Sequence, residues 1–135
     1  MAALIATALL TLVFAMSTLS SVRAFVEGEG LWSKAQKNAI QSLYQFAASG
    51  DERHFTNFKK NIEVPMGDRK ARLELLKKNA NFKIIHDGFL AGGNHPNDID
   101  GMIKLLLRFN KISYIRDAID AWTKADLAFD DLLVI

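Results

Sequence analysis

The sequence predicts an all-α protein. An N-terminal transmembrane helix continues into an up-down, four-helix-bundle-like domain whose two middle legs are broken. Three observations lead there. An uncharged apolar run opens the chain from Ala2 to Leu19. Beyond it, apolar residues recur every three or four positions in each segment, the spacing of one helix face. No segment alternates apolar and polar residues with the period of two that a strand requires.

Bulk properties narrow the classes. The chain has 135 residues, enough for one domain after the leading run, which sets residues 1–22 as an anchor and 23–135 as a helical domain. With no cysteine, a disulfide framework and thiolate chemistry are excluded. The formal charge of +2 comes from interleaved acids and bases, without the basic face of a nucleic-acid binder. No nucleic-acid partner and no cofactor are therefore expected.

A helix rising ~1.5 Å per residue needs ~20 apolar residues to cross the hydrocarbon core, and Ala2–Leu19 just reaches that length. A cleaved signal peptide would carry basic residues ahead of a shorter apolar core, although Val22-Arg23-Ala24 resembles a cleavage site. A buried core helix would show a polar face. The membrane anchor is the expectation, with the bilayer as partner. Arg23, Lys34 and Lys37 would by themselves hold the domain in the cytoplasm, and a basic segment upstream of Met1, which is expected, would reverse that orientation.

After the anchor, Trp32, Ala35, Ala39, Leu43 and Phe46 mark the buried face of a helix from Phe25 to Ala48. Gly28 and Gly30 weaken it and offer hinge or close-contact positions. In Ser49-Gly50-Asp51, glycine suits the left-handed C′ position and aspartate the next N-cap. Phe55, Phe58 and Ile62 line the second helix, which Pro65 is expected to end. Asp68 would cap a new helix to Lys78, buried through Leu73, Leu76 and Leu75. Asn79–Asn81 turn into a helix lined by Phe82, Ile85 and Phe89, stopped by Gly92-Gly93. Pro96, at a first helical position after Asn94-His95, opens a helix burying Ile99, Ile103, Leu106 and Phe109. After a turn at Asn110, the last helix carries Ile112, Ile115, Ile119, Trp122 and Phe129.

With alternating directions, these segments make four legs of similar length. The breaks at Val64–Gly67 and Gly92–Pro96 each lie about 20 Å from the distal turns at helical rise, so they share one level of the bundle. Counting along the outer legs reaches Gln36 and Asp126 at that level. Helix starts at Asp68 and Pro96 would aim N–H donors there, an arrangement suited to an anion or carboxylate. The candidate ligand site is Trp32, Ser33, Gln36, Asp68, Arg72, Asn94, His95 and Trp122. The bland alternative is that both tryptophans are ordinary core and both breaks internally capped kinks. His54, His86 and His95 lack ligand spacing, so no metal site is expected. No nucleophile, phosphate loop or zinc motif is present, so the chain is not expected to be an enzyme. Asp98, Asp100, Asp117, Asp120, Asp126, Asp130 and Asp131 read as caps and solvated faces.

The words Arg23-Ala24-Phe25-Val26-Glu27-Gly28-Glu29-Gly30-Leu31-Trp32-Ser33-Lys34-Ala35-Gln36-Lys37 resemble the opening of an N-terminal sensory region of bacterial membrane proteins. Those proteins are diguanylate cyclases and phosphodiesterases of the GGDEF and EAL type, and hybrid sensor histidine kinases. The resemblance continues through Ser49–Glu52, Val64–Arg72 and Gly88–Met102. It implies a periplasmic, helical input domain on the bacterial inner membrane, between two spans, with a cytoplasmic output enzyme. Here Leu132–Ile135 alone hint at a second span, and neither a GG-D/E-EF loop nor a kinase histidine occurs, so truncation before that span is expected. The expected function is signal input through a small-molecule ligand, with a homodimer formed along the membrane-leading helices. The alternative is an anchored helical scaffold without a pocket.

Overall fold

A computed structural model describes residues 1–109 and 113–133. Five α-helices are present among them: α1 (Ala2–Ser49), α2 (Glu52–Leu75), α3 (Phe82–Ala91), α4 (Pro96–Phe109) and α5 (Ser113–Leu133). Asn110, Ile112, Val134 and Ile135 lie outside the described residues, as does the burial expected of Phe109 and Ile115. The chain is all-α.

α1 is one rod of 48 residues, about 70 Å long at helical rise. Gly28 and Gly30 do not interrupt it, because each costs at most ~1 kcal/mol against alanine and packing outweighs that. Met1 to Ser17 are exposed throughout. This part of α1 is long and apolar enough to cross a membrane, and none of it is buried in the domain. The core-helix alternative therefore fails for it. Thr7, Thr11 and Thr18 each donate their hydroxyl to the carbonyl four residues earlier, so these three polar side chains are satisfied within the run.

The turns follow local chemistry. Gly50 is left-handed at φ 69° and donates its N–H to the Phe46 carbonyl at 2.8 Å, closing α1. The Asp51 carboxylate accepts from Arg53 N–H at 2.9 Å and starts α2. Asn81 caps α3 through Lys83 N–H at 3.0 Å.

Pro65 does not end a helix; α2 continues through it. The Asn61 carbonyl loses its partner there, ordinarily a cost of ~3 kcal/mol. Pro65 is, however, among the most completely buried side chains, in a continuous stripe with Phe58, Ile62 and Ala71. That burial holds the helix together, so only one middle leg is broken. Asp68 is consequently no N-cap. It sits mid-helix, and its own N–H belongs to the ladder. Leu73 and Leu76 also depart from expectation, being 49% and 78% exposed, while Ala71, Arg72 and Glu74 take the buried positions.

The break at Gly92–Pro96 is a reversal. Gly93 at φ 82° donates to the Leu90 carbonyl at 3.0 Å, and Asn94 N–H to the Phe89 carbonyl at 3.1 Å, the paired bonds of a Schellman stop. α4 then runs back toward the N-terminal apolar segment, antiparallel to α1. Met102 approaches Gly28, Gly101 approaches Ser21, and Arg108 lies 5.5 Å from the Phe14 ring. α5 consequently runs away from that segment, parallel to α1, pairing with α2 through Arg72–Asp126 and Arg69–Asp130. The expected four-leg order, with the last helix returning toward the bilayer, is replaced by a long hairpin of α1 and α2, a short hairpin of α3 and α4, and an outgoing α5.

Two apolar clusters share the core. The lower joins Ala24 and Phe25 to Ala71, Ile85, Phe89, Ile99, Met102 and Leu106. The upper joins Trp32, Ala39, Phe58, Ile62 and Phe129. Trp122 packs against both.

Glycines set the closest approaches. A Cβ on Gly67 would stand 2.7 Å from both the Gly88 carbonyl oxygen and the Gly92 nitrogen, and one on Gly88 would stand 2.8 Å from the Ala71 nitrogen. Backbone meets backbone there, so Gly67→Ala is expected to lower stability by ~1–3 kcal/mol despite alanine's better helix propensity. Thermal unfolding followed by circular dichroism measures it. The hinge pair splits in the same way. A Cβ on Gly28 would meet Asn94 Oδ1 at 2.5 Å and Met102 Cε at 3.2 Å, whereas Gly30 has nothing within 4 Å and is not a close contact. Gly30→Ala should therefore gain up to ~1 kcal/mol in the same melt, and Gly28→Ala should lose stability.

Candidate functional site

The two clusters meet at a polar seam, built by three helices and the α3–α4 corner. From α2, Asp68 and Arg72 project one turn apart into the core, 7% and 5% exposed. From the α3–α4 corner, Asn94 donates Nδ2–H to Asp68 Oδ1 at 3.1 Å and to the Phe89 carbonyl at 2.9 Å. From α5, Asp126 accepts Arg72 Nη2–H at 2.9 and 3.0 Å through its two oxygens. From α1, Trp32 lies 6.3 Å from Trp122, ring to ring, and Phe25 lies 5.6 Å from Trp122. The Arg72 guanidinium covers the Trp122 ring at 5.4 Å, a cation–π contact that suits a desolvated arginine.

Arg69 extends the seam outward, binding both oxygens of the exposed Asp130 and lying 3.8 Å from Asp126. Burial pushes the Asp68 carboxyl up to about 7; the Arg72 charge and the Asn94 hydrogen bond oppose that shift without cancelling it. The bond to Arg69 instead holds Asp130 below the usual carboxylate range.

The structure thus brings together Trp32, Asp68, Arg72, Asn94 and Trp122 of the expected site. It leaves out three others. Ser33 and His95 are exposed, and Gln36 is half-buried. His95 spends Nδ1 accepting Asn97 N–H at 3.2 Å, so it starts α4 instead of facing the seam. The N–H donors expected at Asp68 are consumed within α2, and those at Pro96 are served by His95, whose carbonyl accepts Asp98 N–H at 2.9 Å.

Asp126 was expected at this level but as a cap or solvated acid, and it is instead buried as the partner of Arg72. The signal was present: Trp122, Asp126 and Phe129 are spaced four and three apart, so the acid occupies an apolar stripe. Arg72 stands likewise one turn beyond buried Asp68. A buried charge in such a stripe needs a partner, and two opposite ones on different helices are natural candidates for each other.

Chemically the seam is closed. The space among Phe25, Gly28, Asp68, Phe89, Met102 and Trp122 is about 10 Å³, room for roughly one water and no metabolite. Trp32 Nε1 and Arg72 Nε are buried without a hydrogen-bond partner among the described residues. No group of three or more His, Asp or Glu side chains gathers to hold a metal ion among those residues. No family model, curated protein or solved structure matches the chain.

Proposed function

We propose that the chain is the membrane-anchored, extracytoplasmic input region of a bacterial signal-transduction protein, its output domain lying outside these residues. One observation carries this: a single unbroken helix joins the exposed apolar segment to the polar seam, so whatever shifts Trp32 against Trp122 shifts the rod that enters the lipid. In this reading the domain is periplasmic and a small molecule is sensed by opening the seam. Buried Trp32 Nε1 and Arg72 Nε supply unused donors for it. A second copy would pack along α1, where Val22, Val26, Ile40 and Tyr44 leave an exposed face and Gly30 lies open one turn beyond Val26.

The test is a thermal-shift screen of the full chain in detergent against small anionic and zwitterionic metabolites. A ligand at ~100 times its Kd adds about 2.7 kcal/mol and raises Tm by several degrees. That shift should vanish in Trp32→Phe, which removes the Nε1–H donor and leaves the Arg72–Asp126 pair intact, while the variant still melts cooperatively. A screen without any shift favours the second reading, an anchored scaffold that binds no small molecule. The closed volume of about 10 Å³ at the seam favours that alternative.

A further inference from the structure

α4 ends beside the apolar segment. Arg108 lies over the Phe14 ring, and Gly101 sits against Ser21. Phe14 is five residues inside the run that closes at Leu19, about 8 Å along the helix. Where Ala2–Leu19 crosses a bilayer, the last turn of α4 therefore lies at the boundary between headgroups and hydrocarbon.

Charge and apolarity on this base are arranged for that position. Along α4 the acids come first, Asp98 and Asp100, and the bases follow toward the apolar segment, Lys104 and Arg108. Together with Ser17 and Ser21 they border an open cleft of about 400 Å³ between α1 and α4. On the outer side, Leu107 is 49% exposed beside the exposed Leu73 and Leu76. Lys77, also exposed, stands at the same end of α2. Leucines bare to water at one end of a bundle, rimmed by lysine and arginine, are costly in solution and favourable at an anionic lipid surface. Long basic side chains there place their stems among lipid and their charges among phosphates.

We infer that the base of the bundle is seated in the headgroup layer of an anionic phospholipid bilayer, with Lys104 and Arg108 pairing phosphates in the α1–α4 cleft and Leu76 and Leu107 dipping below them. This rests on the membrane-anchored reading and adds to it. The domain is held against the membrane, so the α3–α4 hairpin and the polar seam behind it are coupled to lipid charge.

The test uses the full chain in vesicles of phosphatidylcholine, alone or mixed with phosphatidylglycerol. The protein has no cysteine, so Leu10→Cys and Leu107→Cys each carry one environment-sensitive fluorophore. Quenching by lipids labelled at shallow and deep positions reports depth. The expected result is Leu10 in hydrocarbon in both vesicles and Leu107 just below the phosphates in the mixed ones. The docked-to-undocked ratio should fall about 5-fold for each basic residue neutralised, and should fall again with added salt. Lys104→Gln supplies this readout without touching the Phe14 contact, and the salt series needs no variant. Leu10 in lipid with Leu107 in water overturns the inference and leaves the anchor standing. Leu107 equally deep in both vesicles and indifferent to Lys104→Gln overturns the phosphate pairing. Leu10 in water overturns the anchor and the inference together.

Discussion

Arg72→Leu should unfold the domain most readily of all single changes, at a cost of about 3–5 kcal/mol. Arg72 and Asp126 are both almost wholly buried, and Arg72 reaches both carboxylate oxygens. Removing the guanidinium strands Asp126, and Arg69, 3.8 Å away and shared with Asp130, compensates it poorly. It also takes the cation off the Trp122 ring. The double variant Arg72→Leu/Asp126→Leu should recover most of the loss, because two apolar side chains owe no desolvation. Urea unfolding of the three proteins forms the cycle. A single-variant loss below ~1 kcal/mol, or a double variant no better than the single, would contradict a desolvated pair.

The second large effect is a fall in stability as pH rises. Asp68 titrates near its ordinary value when unfolded and at about 7 when folded. Between those values the folded state binds the extra proton, so the free energy of unfolding decreases with pH through that window. The contribution is complete below about pH 4 and gone above about pH 7. At ~1.4 kcal/mol per unit the whole swing is about 4 kcal/mol, of which ~2–3 kcal/mol falls between pH 5 and 7. Asp51, Asp87 and Asp130 act oppositely, their carboxyls being held low chiefly by hydrogen bonds from Arg53, Lys83 and Arg69. Their stabilisation fades only on acidification below the usual carboxylate range, so it does not mask Asp68 above pH 5. Asp68→Asn keeps an acceptor for Asn94 and removes the titration. It should be the more stable protein at pH 7, with the slope between pH 5 and 7 removed. An Asp68→Asn variant that keeps the wild-type slope would show that the proton resides elsewhere.

Much of this architecture was legible because local chemistry dictates it. The Gly50 stop, the Asp51 cap and the helix start at Pro96 depend on a few neighbouring residues, and they stand as the sequence implies. The corner carrying Asn94 also meets α2 at Asp68, as the counted helix lengths require. What was not legible depends on tertiary context. Pro65 reads as a stop until its ring is found fully buried inside the fold. Asp126 reads as a solvated acid until Arg72 is found opposite. The direction of α5 follows from one earlier event: the Gly92–Asn94 stop reverses the chain instead of kinking it, and every later element inherits the change of sign. Leu73 and Leu76 read as core because hydrophobicity alone does not say which apolar side chains the fold covers.

The central claim is that one continuous helix runs from lipid into the seam, and a spin-label scan of α1 from Leu10 to Lys37 in bilayers tests it most directly. Accessibility to oxygen and to an aqueous nickel reagent should oscillate with a single helical phase across Gly28 and Gly30, the oxygen-rich baseline giving way to the aqueous one near Ser17–Ser21. A phase break at those glycines, or aqueous exposure at Leu10, would contradict it.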